Sequence, residues 1–152
     1  DLHLWMIWTR RATETRLMLS QLAGWQQSSP EVFNRILNQL TDAAQRSADM
    51  AEQGQTRLLL QSFRLYADAL RVLSEASGID IISREHQEIR SVAEKMGLVY
   101  KPSGAGGGDI GFAATDDPGL IEPFQHRIEA MGYHSMAVPV DSFGYQVTCE
   151  SE

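Results

Sequence analysis

With a single cysteine, Cys149, the chain can close no internal disulfide. Its stability must come from a packed core, and a reducing compartment is the expected setting. Nowhere does it approach the roughly 18 consecutive apolar residues that a spanning helix requires. No charged segment followed by an apolar one opens it, so no leader is read there. A cytoplasmic protein without a membrane partner is expected. Positive charge is also scarce: 13 Lys and Arg stand against 20 Asp and Glu, for a net charge of -7 and a pI near 5.0. Those cations are scattered, whereas a nucleic-acid partner needs a clustered positive field, and that class is excluded. His3, His86, His126 and His134 show no ligand spacing, so no metal site is expected. His86, in "SREHQEIR", reads as part of a solvated helix face, and Glu85 and Glu88 read as surface charge. An initiator methionine is missing too. The start "DLHLWMIWT" reads as that of a fragment whose N-terminal part is absent.

What is present suits one domain: 152 residues, 43% of them hydrophobic, can bury one good core. Leu2, Leu4, Met6 and Trp8 alternate with His3, Trp5 and Ile7, which predicts a strand ending near Thr9. "RRATETRLMLSQLAG" has helical spacing through Leu17 and Leu22, with Gly24 as its stop. Ser29 as cap, Pro30 and Glu31 predict the next helix start, with Phe33, Ile36, Leu37, Leu40 and Ala44 as its buried stripe. Gly54 ends it. A helix over about 55–77 follows, carrying Leu59, Phe63, Tyr66, Leu70 and Leu73 before Gly78. Ser83 caps another, which runs to Met96 with Ile89, Val92, Ala93 and Met96 inward. "LVYKP" and "DIGFAAT" read as strands, and Asp117 and Pro118 open a last helix with Leu120, Phe124, Ile128 and Met131. "YHSMAVPV" and "GYQVTCE" close the chain as strands around a turn at Asp141 to Gly144, with Cys149 a small strand residue. Helices grouped early and strands late favour an α+β sandwich.

"KPSGAGGGDIGFAAT", Lys101 to Thr115, places four glycines in five positions. Residues 106–111 match G-x-G-x-x-G in form, yet a strand follows where the dinucleotide fingerprint needs a helix. The P-loop string is not completed either. A flexible hairpin loop is one reading, although two-residue turns need fewer glycines. The other is a phosphate site, in which consecutive glycines let several N–H groups converge on one anion with no Cβ to hold it away. Ser103 would add a hydroxyl, and Lys101 a charge if it turns inward.

The same string resembles the third conserved motif of the GHMP kinase superfamily, named after galactokinase, homoserine kinase, mevalonate kinase and phosphomevalonate kinase. Ser103 and Asp109 are similar to the phosphomevalonate kinase form of the motif. "WTRRATETRLM" resembles that form's W-T-G-x-x-A-S-T segment through Trp8, Thr9, Ala12 and Thr15, with Arg10 where glycine is usual. Ile110 stands where cysteine is common. The resemblance implies a ferredoxin-like α+β domain covered by helices, the C-terminal half of a kinase that passes the ATP γ-phosphate to a small alcohol such as phosphomevalonate. ATP and Mg2+ would be bound largely by the missing N-terminal domain, whose P-x-x-x-G-L-G-S-S-A loop does not occur here. The fragment alone would be inactive. The catalytic residue is not legible, and the expected partners are a small phosphorylated or hydroxylated substrate, the absent domain and a second copy in a homodimer.

In that reading the N–H groups from Gly104 through Ala105, Gly106 and Gly107 to Gly108 border the phosphates, and Ser103 binds the accepting phosphate. Asp109 either fixes the loop or organises a cation, or it simply accepts local N–H groups at a strand start. Thr13 and Thr15 either line the acceptor pocket or cap their own helix. A non-catalytic module that binds a small anion or a partner protein through the glycine loop is the alternative function.

Overall fold

The computed structural model describes residues 1–104 and 106–138. Ala105, the expected turn at Asp141 to Gly144 and the expected last strand with Cys149 lie outside them. The order is β1 (His3–Trp8), α1 (Thr15–Ser28), α2 (Pro30–Glu52), α3 (Thr56–Ser77), α4 (Arg84–Lys95), β2 (Val99–Pro102), β3 (Ile110–Thr115), a 3-10 turn (Pro118–Leu120), α5 (Ile121–Ala130) and β4 (His134–Ala137). The four strands form one open antiparallel sheet in the order β2-β3-β1-β4. This is the mixed helix-and-antiparallel-sheet class that the helix-early, strand-late order predicts.

Period-two alternation gives the sheet two apolar faces. One carries Ile7, Tyr100 and Ala113 against Ile89 and Ala93 of α4 and Phe124 and Ile128 of α5. The other carries Val99 and Ala114 against Leu60 of α3, with Leu4, Phe63 and Phe112 beside them. A third cluster joins Ile36 and Leu40 of α2 to Leu70 and Leu73 of α3, and it takes in the Ile79–Ile82 connection. Gly78 ends α3 in the left-handed conformation, its N–H donating to Ser74 O at 3.0 Å, which turns the chain into that connection.

Three helix expectations are corrected. α1 runs through Gly24, at a cost of about 1 kcal/mol for a mid-helix glycine, because Trp25 beyond it packs edge-on against Phe33 at 5.8 Å. Ser29 sits at the α1–α2 junction without a side-chain cap, and its backbone N–H donates to Trp25 O instead. The buried stripe of α2 is Phe33, Ile36, Leu40 and Ala43, while Leu37 and Ala44 are exposed.

His86 is the largest departure. Far from a solvated face, it is 1% exposed and shares the α4 stripe with Ile89 and Ala93. Its Nε2 lies 2.9 Å from Gly108 O and its Nδ1 2.8 Å from the Tyr100 hydroxyl. A carbonyl can only accept, so Nε2 carries the proton and Nδ1 accepts from Tyr100. Burial pulls the imidazole below its ordinary pKa, which keeps this neutral tautomer, and burial pushes the Tyr100 phenol well above its own. Folded His86 therefore stays neutral at a pH where the unfolded chain takes up a proton, so acid favours unfolding. Chemical denaturation should show stability falling as pH drops below about 6.5, the unperturbed value. His86→Gln, which accepts and donates without titrating, should flatten that decline. Equal wild-type stability at pH 7 and 5.5 would refute the buried neutral imidazole.

Candidate functional site

Strands β2 and β3 form an antiparallel hairpin closed by Ser103 N–H donating to Ile110 O at 3.0 Å. The connection does not stand free in solvent. Gly107 N–H donates to Ile81 O at 2.7 Å, and Thr13 Oγ1 donates to Gly106 O at 3.0 Å. Asp109 is held on both sides, its N–H donating to Arg11 O and its carbonyl accepting from Thr9 N at 2.8 Å. Gly106 and Gly107 take φ of 80° and 76°. A Cβ on Gly106 would lie 2.1 Å from Ile81 O, and one on Gly108 would lie 2.7 Å from Arg11 O. The missing side chains at Gly106 and Gly108 are thus required by the chain's own backbone, and all three glycines are buried. Gly104 differs. It is exposed, has no positive φ, and has open space where a Cβ would stand.

Neighbouring N–H groups in the loop have opposite fates. Those of Gly107 and Asp109 bind the Ile81 and Arg11 carbonyls, whereas those of Gly104, Gly106 and Gly108 donate to no described residue. This narrows the expectation that the whole run borders an anion, since the Gly107 N–H is already engaged. Gly104 is exposed to solvent, whereas Gly106 and Gly108 are buried residues, where an N–H is normally satisfied by protein or by ordered water.

The remaining expected residues divide. Ser103 is exposed at the rim, its hydroxyl donating to Ile110 O at 3.1 Å. Asp109 is also exposed, and its carboxylate accepts from no described N–H. It fixes the loop through its backbone, in the left-handed region at φ 60° that Asp tolerates better than most residues. Thr13 does not cap α1, because its hydroxyl ties down Gly106 and Glu14 is the N-cap residue. Thr15 is exposed in the first turn of α1 and joins neither the loop nor its pocket. Lys101 does not turn toward the glycines. Its Nζ donates to Pro102 O at 2.7 Å and sits over the Tyr66 and Phe112 rings, where burial alone pushes it down to about 8. Arg10, in the position where the resembling segment has glycine, keeps a left-handed backbone at φ 62°.

Beside Gly107 opens a pocket of about 280 Å³, walled by Arg11, Thr13, Glu14, Leu17, Met18 and Asp80. Arg11 bridges it, with its guanidinium 2.8 Å from Asp80 and 3.2 Å from Glu85. The Glu85 carboxyl is held below its usual range by its own backbone N–H first, then by the Ser83 hydroxyl and Arg11. Glu85 is therefore part of the loop's support rather than idle surface charge. Glu88 pairs with Arg84 and accepts from the Tyr133 hydroxyl at 2.9 Å. Neither Arg11 nor Asp80 stands out in the sequence, because they meet only in the fold. Among the described residues no group of three or more His, Cys, Asp or Glu is placed to hold a metal ion, and no helix is long and apolar enough to cross a membrane.

The family model for the C-terminal domain of GHMP kinases matches residues 42–134, more than half of the chain. Phosphomevalonate kinase of Streptomyces sp. (strain CL190) is 31% identical over 111 residues, which is 72% of this chain and 29% of that protein. The chain thus spans less than a third of this curated relative. Among solved structures, a Lin0012 protein from Listeria innocua matches with a TM-score of 0.83 at 24% identity, covering 88% of this chain and 38% of the other. A Streptococcus pneumoniae phosphomevalonate kinase, in complex with phosphomevalonate and AMPPNP, matches with a TM-score of 0.75 at 19% identity, covering 90% and 40%. At those identities the two structures establish the fold alone. On the strength of the family model and the shared architecture, the chain belongs to the GHMP kinase C-terminal family.

Proposed function

We propose that this chain is the C-terminal domain of an ATP-dependent cytoplasmic kinase for a small phosphorylated alcohol of the phosphomevalonate class, working with an N-terminal domain. The observation that carries the reading is the set of N–H groups on Gly104, Gly106 and Gly108 that no described residue accepts, beside the exposed Ser103 hydroxyl. Phosphoryl transfer asks the protein mainly to position the reactants and to offset charge on the phosphate oxygens. Backbone donors do this without a side chain between them and the ligand. Ser103, free to rotate in solvent, turns its proton from Ile110 O to an oxygen of the acceptor's own phosphate. ATP and Mg2+ supply the transferred group and its charge compensation. In this reading they are held largely by the other domain, as the family resemblance implies. Leu17 and Leu19 of α1 are 55% and 59% exposed, and Leu17 lines the pocket beside Gly107, which supports a covering domain on that side.

Two glycine variants in the full-length enzyme separate packing from binding. Gly106→Ala should lower stability by about 3 kcal/mol, through positive-φ strain and overlap with Ile81 O, as read by thermal or urea unfolding. Gly104→Ala should leave stability nearly unchanged, because its methyl enters open space. That same methyl obstructs a phosphate, so kcat/KM should fall about 100-fold, the scale of losing one preorganised donor. Ser103→Ala should cost about 1.5–3 kcal/mol in acceptor binding, as for a hydrogen bond to a charged group. Wild-type kinetics in both Gly104→Ala and Ser103→Ala would reduce the loop to a packed connector and favour a module without catalysis.

A further inference from the structure

A second cavity, of about 440 Å³, opens between the sheet and the α2–α3 pair and shares no lining residue with the loop pocket. Its walls are apolar, built by Leu4 and Met6 of β1, Phe63 and Tyr66 of α3, and Phe112 of β3. One cation reaches into them. Lys101 Nζ lies 4.7 Å from the Phe112 ring centre and 4.9 Å from that of Tyr66, with Pro102 O as its hydrogen-bond acceptor. No described carboxylate comes within ion-pairing distance of it. Arg90, the other half-buried cation, is paired with both Asp68 and Glu94.

Three donor positions on a desolvated ammonium are poorly served by one carbonyl and two ring faces, whereas a carboxylate gives a charge-assisted hydrogen bond. The cavity's size falls within the about 300–1,000 Å³ typical of small-ligand pockets, and its mainly apolar wall, with Lys101 as its one charged group beside Ser47 and Tyr66, is the usual composition of such sites. We infer that this cavity binds a small organic anion with an apolar body, an aryl or branched-chain carboxylate. The carboxylate meets Lys101 Nζ, and the body lies on Met6, Phe63 and Phe112. The lowered proton affinity that burial gives the ammonium is what an approaching anion would reverse.

The test uses 1-naphthylacetate and its uncharged isostere 1-naphthylacetamide, each titrated into the isotope-labelled protein and followed by amide chemical shifts. Both should shift Phe63 and Phe112, with the acetate binding about tenfold more tightly. Lys101→Met keeps the bulk of the side chain and removes the charge, so it should bring the two affinities together. Lys101→Arg should retain the preference, and Ala44→Phe, at the cavity's edge, should abolish binding of both. Absence of shifts at the cavity for either compound would overturn the site. So would equal wild-type affinities, or a preference for the acetate that survives Lys101→Met.

Discussion

Backbone meets backbone where Gly106–Gly108 press against Ile81 and Arg11, and no side chain fits between them. Two separate segments converge there. The strand-to-helix connection after β1 supplies the Arg11 carbonyl, and the α3-to-α4 connection supplies the Ile81 carbonyl. Each connection is fixed in turn by the core beneath it, Ile79 to Ile82 through the α2–α3 cluster and Thr9 through the start of β3. The hairpin loop is therefore a keystone between three stretches of chain distant in sequence. Its exposed rim, Ser103 and Gly104, inherits that rigidity, which is what the proposed phosphate site requires.

A second connection runs through the centre of the molecule. Tyr100 on β2 donates to His86 on α4, and His86 donates to Gly108 O, so the hairpin's strand and its loop are tied to the same helix. The Tyr100 hydroxyl occupies the space a Cβ on Gly111 would take, at 2.2 Å, which explains the fifth glycine of the motif without reference to any ligand. Such a chain is satisfied in one tautomer only, and it specifies the loop's place as long as the imidazole stays neutral.

Much of this was legible in the sequence. Helical spacing locates α2, α3 and α4, the Ser83 cap and the Gly78 stop are both present, alternation in "DLHLWMIWT" marks β1, and the Asp117–Pro118 break marks the end of β3. What escaped was long-range. Gly24 reads as a stop until Trp25 finds Phe33, and Thr13 reads as a cap until Gly106 arrives beside it. His86 stands three and seven residues before Ile89 and Ala93, on the same buried stripe of α4. Its charged neighbours in "SREHQEIR" concealed the stripe. The glycine run stands out in the sequence, and in the fold its glycines are required by packing against Ile81 and Arg11. Lys101 showed no sign of facing away from the loop, because the side of a strand on which a short segment's residues fall is set by its partners.

The claim that the loop divides its N–H groups between the fold and an anion is open to direct observation. Titrating inorganic pyrophosphate into the labelled protein should move the amide signals of Gly104, Gly106 and Gly108 together, while those of Gly107 and Asp109, already bound to Ile81 and Arg11, stay slow to exchange and shift little. If Gly107 and Asp109 exchange freely, or if pyrophosphate moves none of the other three, the division does not exist.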